Sequence, residues 1–173
     1  MKDLTNNYIF LNSVISVAGV SNSGKTTLLC NYADECLEDN KKVLFISLTN
    51  SSDKIKDKIN NSKSENLIIY DNLLSDEKEI SNLLSMYNPD IIMIDTINKF
   101  SNEEKALKLV RKLATFAMKI FVIAYEFPKG FEENYKYVGK EFEIRINEDI
   151  YNLSDTIVVC DYPNDNKYYK RTK

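Results

Sequence analysis

The stretch Gly19-Val-Ser-Asn-Ser-Gly-Lys-Thr-Thr27 constrains this chain more than any other. Its spacing, Gly, four residues, Gly, Lys, Thr, is that of a backbone loop built to wrap a polyphosphate. Gly19 and Gly24 permit backbone angles and close approaches that a Cβ would forbid. The loop residues Ser21, Asn22, Ser23, Gly24, Lys25, Thr26 and Thr27 can then aim their amides at phosphate oxygens, at the positive end of the helix that follows. Lys25 would reach the outer phosphates, and the Thr26 hydroxyl would join the coordination of Mg²⁺. The plain alternative is a Gly/Ser turn that happens to precede a helix. Context argues against it. Ser13-Val-Ile-Ser-Val-Ala18 is an apolar, β-branched run, and Leu28, Leu29, Ala33, Cys36 and Leu37 recur at helical spacing.

The same alternation continues along the chain. Strands are expected at Val43–Leu48, Leu67–Tyr70, Asp90–Asp95, Lys119–Ala124 and Thr156–Asp161. Helices are expected at about 25–39, in a short segment opened by Ser51 or Ser52 as cap, at about 75–87 before Pro89, and over 101–117. In the last of these, Leu107, Val110, Leu113, Ala114 and Ala117 form the apolar stripe, leaving Lys105, Lys108 and Lys112 on a solvated face. Strands buried on both faces and alternating with helices predict an α/β fold, three layers around a mostly parallel sheet. With 173 residues, 43% of them hydrophobic, one domain spanning 1–173 is expected.

Composition removes several chemistries. There is no histidine, so imidazole bases and Ser-His triads are excluded. Cys30, Cys36 and Cys160 have no metal-ligand spacing and read as reduced core thiols of a cytoplasmic protein. No apolar run approaches the roughly 20 residues of a membrane span, and the N-terminus lacks a signal-peptide core. Net charge is −3, so no global field attracts nucleic acid. One segment, 127–148, has no clear period and is expected to be a mobile loop region. It interleaves Phe127, Phe131, Tyr135 and Tyr137 with Lys129, Lys136, Lys140 and Arg145, a stacking surface that single-stranded DNA could use. Five glutamates in the same segment cancel its positive charge.

Asp95 ends an apolar strand downstream of the loop, where a carboxylate can hold the Mg²⁺ shell together with Thr26. Hydrolysis needs a further group to orient or deprotonate water. In many ATPases of this type a Glu directly follows the strand-end Asp. Here the next residue is Thr96, so a base would have to come from another strand end.

At this point the residues resemble a known group, the RecA-like motor domain of DnaB-type replicative helicases. Besides the loop, the resemblance rests on Phe45-Ile-Ser-Leu-Thr-Asn-Ser-Ser-Asp-Lys-Ile55, Ile91-Ile-Met-Ile-Asp95, Phe121-Val-Ile-Ala-Tyr-Glu126 and Ile150-Tyr-Asn-Leu-Ser-Asp155 with the strand after it. It implies a RecA-like P-loop NTPase fold, ATP and Mg²⁺ as ligands, a homo-oligomeric ring or a helicase-related partner, and work in DNA replication or recombination. The family's catalytic Glu falls on Thr49, and its γ-phosphate-sensing Gln falls on Glu126. Its neighbour-directed finger corresponds to Arg171, and its N-terminal domain has no counterpart.

Three functions follow as alternatives. The first is an ATPase with its base moved to Glu126, with Lys25 and Arg171 as the other catalytic groups. The resemblance implies a strand order that puts Glu126 between the loop strand and the Asp95 strand. The second is a nucleotide-binding switch or accessory protein that hydrolyses poorly. The third, a small-molecule kinase, usually needs an arginine lid, and Arg111, Arg145 and Arg171 are scattered.

Overall fold

The computed structural model describes residues 13–72, 77–100, 102–127, 137–138, 141–142, 148–160 and 167–169. Its strands are β1 Val14–Gly19, β2 Val43–Ser47, β3 Leu67–Tyr70, β4 Ile91–Asp95, β5 Ile120–Glu126, β6 Tyr137–Val138, β7 Glu141–Phe142, β8 Thr156–Val159 and β9 Lys167–Tyr169. The helices are α1 Lys25–Glu38, α2 Ser52–Lys56, α3 Glu77–Tyr87, α4 Glu103–Ala117 and α5 Glu148–Leu153, with a 3₁₀ turn at Ile97–Lys99. One sheet carries the order β3-β2-β4-β5-β1-β8-β9, and β6 pairs with β7 separately. From β3 through β8 every pairing in that sheet is parallel, while β9 joins β8 antiparallel. This is the expected α/β P-loop NTPase architecture.

Alternation along the strands decides which helix covers which face. Ile15, Val17, Phe45, Met93, Val122 and Ala124 point to the side where Leu28, Leu29 and Ala33 of α1 and Ile55 of α2 pack. Ala18, Leu44, Ile94, Ile123 and Tyr125 point to the other, against Ile80 of α3, Leu107 and Val110 of α4 and Ile150 of α5. Each buried Val, Leu, Ile, Phe or Met among them contributes roughly 1.5–3 kcal/mol of transfer free energy. The alternation also positions the polar strand ends. Asp95 follows Ile94, and Glu126 follows Tyr125, so both fall on the α1 side of the sheet.

Several boundaries differ from those the sequence suggests. α4 starts at Glu103 because the Asn102 side chain caps it, accepting the Lys105 N–H at 2.9 Å. Ser51 is the N-cap of α2, as expected, but its hydroxyl makes no capping hydrogen bond. Asp71, just past β3, accepts the Ser52 N–H at 2.6 Å and closes the helix start from a distant loop. β3 is an edge strand, half-buried at all four positions rather than enclosed on both faces. β5 runs on to Glu126 because β1 still offers it a partner there, pairing Gly19 with Glu126.

Phe127 corrects the proposed stacking surface. It is buried, packs edge-to-face on Tyr125 with ring centroids 6.1 Å apart, and donates its N–H to Gly19 O at 3.0 Å. It is a core residue closing β5 against β1. Phe131, Tyr135, Lys129, Lys136, Lys140 and Arg145 lie outside the described residues, as does Arg171. No helix among the described residues is long and apolar enough to cross a membrane.

Candidate nucleotide site

The site forms where β1, β4 and β5 end side by side beneath the start of α1. β1 delivers Gly19, and the loop turns through Asn22 at φ 62° and Gly24 at φ 89° before α1 begins. The left-handed angle at Gly24 is the one that a side chain disfavours. Gly19 is required for space instead. A Cβ there would stand 2.6 Å from the Cys160 carbonyl and 2.4 Å from Ser23 Oγ. Ser23 donates its N–H to Val20 O at 3.2 Å, tightening the turn. Its hydroxyl is buried with no hydrogen-bond partner among the described residues.

Lys25 is the one loop side chain with a dense set of contacts. Its ammonium donates to Gly19 O at 3.1 Å and to Val20 O at 2.5 Å, and stands 3.9 Å from a Glu126 carboxylate oxygen. Burial lowers its pKa below the usual lysine value, with the charges of Glu126 and then Cys160 and Asp95 acting in the opposite direction. Thr26, one residue on, donates its hydroxyl to Asp95 Oδ2 at 2.9 Å across 69 residues of sequence. Asp95 is only 2% exposed, and burial raises its pKa against the opposing effects of the Thr26 hydroxyl and the Lys25 charge.

The residues expected to bind phosphate and metal are therefore gathered in one place. A hydroxyl and one buried carboxylate suit Mg²⁺, which keeps several waters and takes few protein ligands. The glycine cradle and the orphaned Ser23 hydroxyl fit a loop shaped around an oxyanion.

The water-activating positions are arranged differently. Thr49 is exposed, lies 3.4 Å from Asp95 Oδ2 and accepts from Asn50 Nδ2 at 2.9 Å. Thr96 is buried, and its hydroxyl donates to Ala124 O at 2.7 Å. Neither can take a proton at neutral pH. Glu126 is the carboxylate at this edge, with its side chain 40% exposed and the ammonium of Lys25 beside it. β5 lies between β1 and β4, the order needed to bring Glu126 there.

Asn98 is the site residue that sequence reasoning missed. Its Oδ1 accepts the Glu126 N–H at 2.6 Å, and its Nδ2 donates to Glu103 Oε2 at 3.0 Å. A polar residue three past a strand-end Asp was the only signal, and nothing in its spacing says that it reaches β5.

No curated protein matches this chain. A family model described as AAA domain matches residues 11–124, a span that holds the loop, Asp95 and Asn98 and stops two residues short of Glu126. With that match over most of its length, and the loop, sheet and Asp95 placed as described, the chain belongs to the AAA domain family, a nucleotide-binding P-loop ATPase domain.

Proposed function

We propose that this protein hydrolyses Mg-ATP with Glu126 in the water-activating role that Thr49 and Thr96 cannot fill. The observation that carries the reading is the Glu126 carboxylate 3.9 Å from the Lys25 ammonium, on the α1 face of the sheet. Lys25 and the amides of 21–27 would hold the phosphates, while Thr26 and Asp95 would hold the metal. When bound, Mg²⁺ supplies charge neutralisation at the transferring phosphoryl group. Glu126 is partly exposed, so water has access to it, and its carboxylate would take the proton that an attacking water gives up. The Lys25 ammonium, 3.9 Å away, would balance the charge of that carboxylate. Arg171 is proposed as a charge-stabilising finger acting on a neighbouring copy.

The cellular role we infer is that of a motor or accessory subunit of the DnaB/RecA helicase type, working in DNA replication or recombination. Its support is the order of the five sequence segments along β1 to β8. A homo-oligomeric ring, a helicase-related partner and single-stranded DNA are the partners this role implies. A second reading, a nucleotide switch with weak hydrolysis, is favoured by one observation. Glu126 puts a negative charge at the loop's outer end, where it would disfavour a triphosphate relative to a diphosphate.

Phosphate release by wild type, Lys25→Ala and Glu126→Gln, with and without single-stranded DNA, tests the hydrolase. Wild-type turnover well above both variants is expected. Turnover no faster than Lys25→Ala removes the hydrolase. Calorimetric affinities then examine the switch, which requires tighter binding of diphosphate than of triphosphate.

A further inference from the structure

Asn98 carries more than a local turn. It sits half-buried in the 3₁₀ turn after β4, and its side-chain amide bonds to two other elements. Oδ1 accepts the Glu126 N–H at the end of β5, and Nδ2 donates to Glu103 in the first turn of α4. The amide's orientation is dictated by its partners, since a backbone N–H requires an acceptor and a carboxylate requires a donor. A flipped amide would lose both bonds. The Thr96 hydroxyl also lies 3.4 Å from Oδ1, but its shorter bond goes to Ala124 O at 2.7 Å.

The sheet explains why such a contact is needed. The β4–β5 ladder ends at Ile94 and Ile123, whereas β1 pairs with β5 as far as Gly19 and Glu126. The last residues of β5 therefore extend past their β4 partner and are held by strand pairing on one side only. Asn98 provides the acceptor on the side where β4 has stopped.

We propose that Asn98 is the positioning residue for Glu126, fixing the end of β5 so that the carboxylate stays beside Lys25, with Glu103 as the anchor of the amide. This rests on the reading of Glu126 as the water-activating group. Asn98 acts on the backbone of Glu126, so its loss should lower turnover and leave nucleotide affinity nearly intact. A displacement of about 1 Å in a reacting group can cost up to about 100-fold in rate.

The experiment measures single-turnover ATP cleavage, nucleotide affinity and melting temperature for five variants beside wild type. These are Asn98→Ala, Glu126→Gln, the double variant of those two, Asn98→Asp, and Asn98→Asp with Glu103→Gln. The last pair exchanges the amide and the carboxylate, so both hydrogen bonds can form again at unchanged net charge. Asn98→Ala is expected to lose about tenfold or more in rate, with affinity within about threefold of wild type. In the Glu126→Gln background the same change should cost nothing further. Asn98→Asp alone sets a second carboxylate against Glu103 and should be slow, and adding Glu103→Gln should recover most of the rate. Equal losses from Asn98→Ala in both backgrounds, or no recovery in the exchanged pair, overturn the positioning role alone. Undiminished cleavage in Glu126→Gln overturns the underlying reading of Glu126, and the role of Asn98 with it. Should Asn98→Ala fail to fold, the comparison of Asn98→Asp with the exchanged pair decides the matter by itself.

Discussion

Gly19 and Glu126 are register partners on adjacent strands, yet the two corners they begin are built by opposite means. The phosphate loop is a backbone device. Its shape comes from Gly24 and Asn22 at positive φ, from the space Gly19 leaves beside Cys160, and from the first turn of α1. The Glu126 corner is a side-chain device assembled from segments far apart in sequence. Asn98 reaches it from 28 residues away, and Lys25 meets it from the opposite side of the sheet order. In the proposed function, binding of phosphate would depend on nine consecutive residues, and activation of water on strand order and register. The first could persist when the second is changed, and neither Thr49 nor Thr96 carries a carboxylate.

That separation can be tested by perturbing one corner at a time. The largest effect on binding is expected at Lys25→Ala. Losing a charge-assisted contact to phosphate removes about 1.5–3 kcal/mol, or about 10- to 100-fold in affinity measured by calorimetry. An affinity unchanged by that substitution would mean that phosphate is not held where the loop lies. Gly19→Ala comes next and acts on folding. Its Cβ would meet a backbone carbonyl that cannot swing aside, so a loss of about 1–3 kcal/mol in denaturant unfolding is expected. Because the clash is in the cradle itself, nucleotide affinity should fall with stability.

Asp95→Asn should move binding and stability in opposite directions. Burial raises the Asp95 pKa, so in the window between the unfolded and folded values the native state holds a proton that the unfolded chain has released. Stability therefore falls as pH rises through that window, and the penalty is complete only above the folded value. Replacing the carboxylate by an amide should raise the stability of the nucleotide-free protein by about 1 kcal/mol, while Mg²⁺-dependent nucleotide binding weakens. A destabilised Asp95→Asn protein would show that the Thr26 bond outweighs the cost of burying the charge. The smallest effect concerns the thiols. Burial pushes Cys30 and Cys36 up to about 12 and Cys160 up to about 11, so none forms thiolate at neutral pH. Folded protein should take up no iodoacetamide over a time in which the urea-unfolded chain takes up three equivalents, one per cysteine.

The parts legible in the sequence are those with a local cause. The loop, α1, the apolar strands and Asp95 announce themselves through spacing and periodicity within a few residues. What the sequence hid was long-range. β9 is a three-residue strand that exists through its antiparallel pairing with β8, and no alternation of its own marks it. By sequence Phe127 groups with the aromatics that follow it, whereas the hydrogen bond to Gly19 O and the contact with Tyr125 draw it into the core. Ser51 is the N-cap of α2 as the sequence suggests, but the side chain that accepts a first-turn N–H is that of Asp71, a residue beyond the next strand. Asn98 belongs to the same class, because its role exists only once β5 lies beside β4.

In the proposed mechanism the water-activating carboxylate stands at the end of β5, on Glu126. Single-turnover cleavage of Mg-ATP by Glu126→Gln, with its nucleotide affinity measured on the same preparation, tests this most directly. The predicted result is a rate about 100- to 1,000-fold below wild type, at an affinity equal to or slightly tighter than wild type. Cleavage at the wild-type rate, or a loss explained entirely by weaker binding, would contradict it.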